Sequence, residues 1–220
     1  MAELHDTTEE YLETILAIEE EGVPPLRARL VERLELSAAA VSETVHRLGE
    51  LGYVKLGADR AIRLTPKGRQ LATTVVRRHR LAERLLTDVI GLEWEKVHRE
   101  AARWEHAISS DVEEKLVELL GDPMTCPHGN PIPGARRQVK AEPTVRLVAS
   151  EPGPVTVARI SEKLELNDDS LRLLAHARLI PGCTATVLES GGSGVKVKTS
   201  VGEHTVPVDV AEQLYVAAKA

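Results

Sequence analysis

The first 65 residues are punctuated so closely that few folds can accommodate them. Apolar Tyr11, Leu12, Ile15, Leu16 and Ile18 recur at helical spacing until Gly22. Asp6 with Glu9, or Thr7 with Glu10, has capping-box spacing and predicts the start of that helix at residue 6 or 7. Pro24-Pro25 then breaks the chain, and residues 26–34 predict a second short helix carrying Arg27, Arg29 and Arg33. Ser37 is a good N-cap for a third helix over residues 38–51, with Gly52 as its stop. Val41, Val45 and Leu48 supply its buried stripe, while Ala39, Ser42, Glu43, His46 and Arg47 lie away from it. Residues 53–56 and 61–64 then read as two strands around a tight turn. Three helices followed by a hairpin is the winged helix–turn–helix layout, in which the third helix enters the major groove. Arg60, at the tip of the wing, is placed to reach phosphate.

Charge supports that reading in its distribution rather than its total. The chain carries a net −6, unusual for a nucleic-acid binder. Residues 1–23 hold eight acids and no Lys or Arg, whereas residues 24–80 hold twelve Lys/Arg against five acids. A basic segment inside an acidic chain is the footprint of a DNA-contacting module, although such runs are also often solvated faces. Winged folds occur without DNA binding, but here the basic charge falls on the same elements.

Phe is absent and aromatics make up 2% of the chain, so cores must be built from Leu, Val, Ile and Ala. That suits a mainly helical protein. The two cysteines, Cys126 and Cys183, form no disulfide framework and suit a reducing cytoplasm. Both are read as ordinary small residues. No run of about 18 apolar residues is present to span a membrane, and residues 1–6 do not resemble a signal peptide.

Beyond the wing, Thr65 and Pro66 open a long helix over residues 68–90, followed by a second over residues 93–120. Pro123, Pro127, Pro131 and Pro133 end this region, and residues 136–144 read as linker. From about Val145 the pattern turns to short strands, at residues 155–157, 184–188, 195–198 and 204–208, with a helix at 170–177. Several short strands in a small segment suggest a barrel.

The chemistry lies in the central helices. His79 and Glu83 are four residues apart, so they share a helix face. Ala102, Glu105 and His106 share a face of the next helix, with His98 one turn below. Mixed nitrogen and oxygen donors of this kind suit Fe²⁺, Mn²⁺, Zn²⁺ or Co²⁺. Each pair taken singly is more often a surface ion pair. No HExxH, nucleophile elbow or phosphate loop is present, which argues against an enzyme.

Several segments together resemble the diphtheria toxin repressor and iron-dependent regulator family. They are Asp6-Thr7-Thr8-Glu9-Glu10-Tyr11-Leu12, Pro25-Leu26-Arg27-Ala28-Arg29, Arg78-His79-Arg80-Leu81-Ala82-Glu83, Glu100-Ala101-Ala102-Arg103-Trp104-Glu105-His106 and Gly129-Asn130-Pro131-Ile132-Pro133. The resemblance is close over residues 1–140 and looser beyond. It implies a winged DNA-binding domain at residues 1–73, a helical metal-binding and dimerisation domain at 74–140, and a linker with an SH3-like barrel at 141–220. It also implies a homodimer, one or two per palindromic operator, that represses metal-homeostasis genes when Fe²⁺ or Mn²⁺ fills two sites per subunit. Co²⁺, Ni²⁺ or Zn²⁺ would serve in vitro.

By position, the resemblance assigns His79, Glu83 and His98 to an ancillary metal site. Glu105, His106, the carbonyl of Ala102 and the side chain of Glu10 fall at the primary site, with Glu13 as a second N-terminal acid. Arg80 and Asn130 fall at positions tied to an anion. Ser37, Ser42 and Arg47 match DNA-facing positions of the third helix. Glu43 and the Ala38-Ala39-Ala40 run, with Ala39 and Ala40 on the same reading helix, stand where the family usually has Gln and Pro-Thr and so predict a changed operator preference. Arg27, Arg29 and Arg60 are basic contacts.

Two departures concern the metal sites. Iron-type members usually carry Met and Cys where this chain has Glu10 and Ala102, and a hard carboxylate shifts preference towards Mn²⁺- or Fe²⁺-like ions. In the barrel, iron-type members send a Glu and a Gln three residues apart to the ancillary metal. Aligned there are Asn167 and Ser170, with Asp168 and Asp169 as neighbouring substitutes; otherwise the barrel does not reach the metal. The alternative function is a winged-helix regulator whose metal response has been lost or altered.

Overall fold

The computed structural model describes residues 2–136 and 143–218, with side chains from residue 7 onwards. The chain divides into two compact units, Met1–Arg78 and His79–Ala220.

In the first unit, Tyr11, Leu12, Ile15 and Ile18 face inwards from helix α1 (Ala2–Glu20) and are essentially inaccessible to solvent. The helix begins earlier than capping predicted, because nothing between Ala2 and Asp6 breaks it. The Asp6 side chain lies outside the described residues. Helix α2 (Arg27–Leu34) ends at Glu35 in the left-handed conformation. Helix α3 (Ala38–Glu50) starts as expected, with Ser37 Oγ accepting from the Ala40 amide at 3.2 Å. Strands β1 (Val54–Leu56) and β2 (Ile62–Leu64) pair antiparallel to form the wing. Leu30, Val41, Val45, Leu48, Val54 and Ile62 close one core with α1. Thr65 caps helix α4 (Pro66–Arg84) by accepting from the Gly68 amide at 3.1 Å. A Cβ on Gly68 would lie 2.0 Å from the Tyr53 carbonyl, so only glycine lets α4 meet the wing.

The helix predicted to reach residue 90 changes pitch at Arg84, and Leu85–Ile90 form a π-helical turn closed by Gly91. The single helix predicted over 93–120 is broken. A 3-10 turn (Trp94–Lys96) leads into α5 (Val97–Trp104), and α6 (Ser110–Leu119) starts anew. The cause is Ser109, whose hydroxyl accepts from the Val112 amide at 3.3 Å; such a cap contributes about 1 kcal/mol. The break leaves Glu105 and His106 at the end of α5. Leu81, Ala82, Leu86, Val97, Ala101, Ile108, Leu116 and Ile132 form the core around these helices.

The linker expected at 136–144 lies outside the described residues over 137–142. Beyond it, β3 (Thr144–Arg146), β4 (Gly153–Ile160), β5 (Thr184–Gly191), β6 (Gly194–Thr199), β7 (Gly202–Val206) and β8 (Leu214–Ala218) form one antiparallel sheet in the order β3-β8-β4-β5-β6-β7. Strands β3 and β8 were not anticipated, and β7 stops at Val206 because Pro207 leads into helix α9 (Val208–Ala211). Register shifts after Val157 and Val187 bend β4 and β5, wrapping the sheet around Leu147, Val157, Ile160, Leu171, Val187, Val197 and Leu214. Helices α7 (Glu162–Glu165) and α8 (Asp168–His176) follow β4. The result is SH3-like. No helix among the described residues is long and apolar enough to cross a membrane.

Candidate metal centre

His79 and Glu83 occupy successive turns of α4, and both are buried. Packing α5 beside α4 brings in His98: its Nδ1 lies 3.0 Å from His79 Nε2 and 3.3 Å from Glu83 Oε1. The three predicted ancillary residues therefore meet. Glu105 is buried at the end of α5 and pairs closely with His79 Nδ1. His106 Nε2 stands 3.4 Å from Glu105 Oε1. The carbonyl of Ala102 is one of the last four of α5, which a helix leaves without a partner in its own ladder. Glu10 and Glu13 belong to α1 of the first unit, Glu10 exposed and Glu13 half-buried.

Two donors missed from the sequence complete the cluster. The loop after α6 folds back so that His128 Nδ1 lies 3.0 Å from Glu83 Oε1 and 3.2 Å from Glu165 Oε2. Cys126, buried two residues earlier, joins Glu83 and His128 in a set whose ligand atoms all lie within 4.8 Å of one another. A Cys-Pro-His triplet beside the Gly129–Pro133 motif was the available signal. The loop is held from both sides. Arg84 donates to the Thr125 carbonyl at 2.7 Å and the Cys126 carbonyl at 3.3 Å, and Trp94 Nε1 donates to the Pro127 carbonyl at 3.0 Å. On the other side the Ile160 amide donates to the His128 carbonyl at 3.0 Å. Gly129 has φ +87, and a Cβ there would sit 2.1 Å from the Ala158 carbonyl.

The barrel does contribute a carboxylate, but not Asp168. Asp168 is partly exposed and pairs with Arg99 at 3.0 Å and Arg172 at 3.6 Å. Asn167 is spent as the cap of α8, accepting from the Ser170 amide at 2.9 Å, which turns Asp168 and Asp169 outwards. The acids that face the cluster are one turn earlier, on α7. Glu165 Oε2 is 3.0 Å from His98 Nδ1, and Glu162 lies 3.6 Å from Arg80. The predicted anion positions are engaged by the protein itself. Arg80 donates to the Pro131 carbonyl at 2.6 Å, and Asn130 donates to Glu165 at 2.6 Å and accepts from Arg159 at 3.3 Å.

Burial opposes charge throughout this cluster, and opposite charges overcome it. Burial would lower His98, but Glu165 and Glu83 lift it to about 9. His79 and His128 rise well above the ordinary histidine range for the same reason, against burial and through Glu105, Glu165 and Glu83. Burial would raise Glu83 and Glu165; instead His128 and its neighbours hold Glu83 well below the carboxylate range and Glu165 at about 2. Burial wins at Cys126, pushed up to about 11, and at Glu162, pushed up to about 7 despite Arg80. Glu83 Oε2 and His128 Nε2 are buried and have no hydrogen-bond partner among the described residues. A buried, unsatisfied carboxylate oxygen and imidazole nitrogen beside a thiol are donors suited to a divalent cation, so the residues present fit a metal.

In the first unit, Ser37, Ala39, Ser42 and Glu43 are exposed on α3, while Ala40 and Arg47 are half-buried. Arg60 is exposed at the wing turn with φ 62. Arg27 and Arg29 are half-buried on α2, Arg29 donating to the Pro24 carbonyl.

A winged helix–turn–helix in a chain that also carries a buried His/Glu/Cys cluster defines a metal-dependent DNA-binding regulator. Comparison with known proteins agrees. Residues 3–62 match "Iron dependent repressor, N-terminal DNA binding domain", and residues 65–134 match "Iron dependent repressor, metal binding and dimerisation domain". The iron-dependent repressor IdeR of Mycobacterium tuberculosis is 47% identical over 227 residues, covering 98% of this chain and 99% of that protein. The diphtheria toxin repressor of Corynebacterium diphtheriae is 46% identical over 200 residues, covering 87% of this chain and 88% of its own. Among solved structures, a manganese-dependent transcriptional repressor in complex with manganese superposes with TM-score 0.83 at 33% identity, covering 96% of this chain and 100% of that one. The IdeR of T. acidophilum superposes with TM-score 0.78 at 30% identity, covering 96% and 97%. The chain belongs to the iron-dependent repressor family. It is a metal-dependent, DNA-binding transcriptional repressor and not an enzyme.

Proposed function

We propose that this repressor is a cytoplasmic homodimer that binds palindromic operator DNA, through one or two dimers, when Fe²⁺ or Mn²⁺ fills two sites in each subunit. The observation that carries the metal reading is that two buried atoms, Glu83 Oε2 and His128 Nε2, find no hydrogen-bond partner among the described residues, within a cluster of three histidines, a thiol and carboxylates. A cation accepts the electron pairs that such donor atoms offer.

One site takes His79, Glu83 and His98 with Cys126, His128 and Glu165. The other takes Glu105, His106 and the Ala102 carbonyl, with Glu10 and Glu13 from α1. The division of labour is residues 1–73 for DNA, 74–140 for metal and dimerisation, and 141–220 for linker and barrel. Ser37, Ala39, Ala40, Ser42, Glu43 and Arg47 form the reading face, with Arg27, Arg29 and Arg60 towards phosphate.

Glu10 and Glu13 sit on the helix that packs against the reading domain's core, whereas Glu105 and His106 sit in the helical segment. Holding both sets together favours the arrangement in which two copies of α3 are one DNA turn apart, and so raises operator affinity by linkage. It also offsets acidic charge near the phosphates. The experiment is operator binding across Fe²⁺, Mn²⁺, Co²⁺, Ni²⁺ and Zn²⁺ at buffered free concentrations. Tight binding only with metal, and strongest with Fe²⁺ or Mn²⁺, supports the proposal; equal binding in chelator contradicts it.

A further inference from the structure

The face that α3 turns away from its core carries an unusual acid. Val41, Val45 and Leu48 are buried, and the opposite face presents Ala39, Ser42, Glu43, His46 and Glu50, all exposed. One acid on this face is already answered within the domain. Glu50 has His46 Nδ1 at 3.8 Å one turn away. Arg47 is half-buried, and its Nε finds no hydrogen-bond partner among the described residues. Glu43 is different: among the described residues its carboxylate has no hydrogen bond or ion pair, and it sits midway along the helix behind three alanines, Ala38-Ala39-Ala40. Small residues before it let the helix approach the groove floor closely.

A carboxylate accepts hydrogen bonds and cannot donate them. In the major groove the donors are the N4 amino group of cytosine and the N6 amino group of adenine. Adenine sets its N7 acceptor beside N6, where it faces the second carboxylate oxygen and repels it. Guanine offers N7 and O6, and thymine offers O4, all acceptors. Cytosine alone presents an amino donor with no acceptor on its own major-groove edge. An acid brought among phosphates without such a donor weakens binding, so Glu43 both selects and rejects.

We propose that Glu43 is a specificity-determining residue that reads the N4 amino group of one cytosine in each operator half-site. This rests on α3 being the helix that enters the groove, as proposed above.

The test uses the full-length, metal-loaded protein. A randomised half-site library is selected for binding, and the position whose base preference depends on residue 43 is then measured by fluorescence anisotropy with each base. Wild type is expected to favour cytosine over thymine there by about tenfold or more. Replacing that cytosine by 2-pyrimidinone, which lacks the amino group, should cost wild type a similar factor. Glu43→Ala should bring the bases within about twofold and lose sensitivity to the analogue, and Glu43→Gln should move the preference towards adenine. A Glu43→Ala protein that keeps the wild-type base profile, or a wild type indifferent to removal of the amino group, overturns the inference. Were wild type to bind DNA in a metal-dependent way with no base preference at any position, the placement of α3 in the groove would itself be wrong, and the inference with it.

Discussion

His128 Nδ1 stands 3.0 Å from Glu83 Oε1, although the two residues are 45 positions apart and belong to a loop and a helix. That contact makes the ancillary cluster a three-part construction. Helix α4 supplies His79 and Glu83, α5 supplies His98, and the loop at 126–128 joins them to Glu165 of the barrel. The metal donors and the core of the second unit are therefore coupled.

The thiol gives this cluster a spectroscopic signature. Co²⁺ bound by wild-type protein should show a thiolate-to-metal charge-transfer band in the near ultraviolet. Cys126→Ser should abolish that band, and His128→Ala should weaken binding at this site by at least about tenfold. Absorption-monitored cobalt titration of the three proteins is the check; an unchanged band in Cys126→Ser would remove Cys126 from the ligand set.

Glu165 and Asp168 should separate cleanly. Glu165→Gln removes a charge shared by His98 and His128, and is expected to lower metal affinity about 10- to 100-fold. Asp168→Ala removes only exposed pairs with Arg99 and Arg172 and should leave affinity within about twofold. Calorimetric titration with Mn²⁺ distinguishes them.

Proton linkage follows from the same charges. In metal-free protein His98 is lifted to about 9, so the folded state holds a proton that the unfolded chain releases near 6.5. This contribution to stability is fully present below 6.5 and is lost as pH rises towards 9. Glu165, held at about 2, contributes above its ordinary carboxylate range and loses that contribution as pH falls towards 2. Melting temperature in chelator should therefore be highest between about pH 5 and 6.5 and fall on the alkaline side. Metal affinity should run the other way, rising with pH as the histidines give up protons. Thermal melts with and without Mn²⁺ across this range test both slopes.

Gly129 is predicted to tolerate no side chain. Its Cβ would meet the Ala158 carbonyl at 2.1 Å and its φ is +87, so Gly129→Ala must push the 126–130 loop away from β4. A loss of about 2–4 kcal/mol in metal-free stability is expected, by chemical denaturation, together with weaker metal binding. Wild-type stability in Gly129→Ala would show that the loop does not lie against β4.

Much of the first unit was legible because its signals are local. Ser37, Gly52 and the Val41–Val45–Leu48 stripe mark α3 within a dozen residues, and Thr65 marks α4. His79, Glu83 and His98 were legible too, since helical spacing and family resemblance both single them out. What failed was non-local. Cys126 and His128 act only when the loop folds back on Glu83, which no spacing records. Glu165 rather than the expected Asp168 faces the cluster because Asn167 caps α8 and turns Asp168 outwards, a role that sequence spacing to the metal does not reveal. The break between α5 and α6 was hidden because Trp104–Ile108 contain no helix breaker, and only the Ser109 cap betrays it. Likewise β3 and β8 each depend on pairing with distant segments.

The most direct test of metal control is fluorescence anisotropy of a labelled operator against full-length protein, with free Mn²⁺ or Fe²⁺ buffered from absence to saturation. Wild type should gain about 5- to 150-fold in operator affinity. Glu10→Ala and His106→Ala should show no gain while sedimenting as folded dimers. If either variant bound operator at the metal concentrations that serve wild type, α1 would not be joined to Glu105 and His106 through a cation, and the switch described here would be wrong.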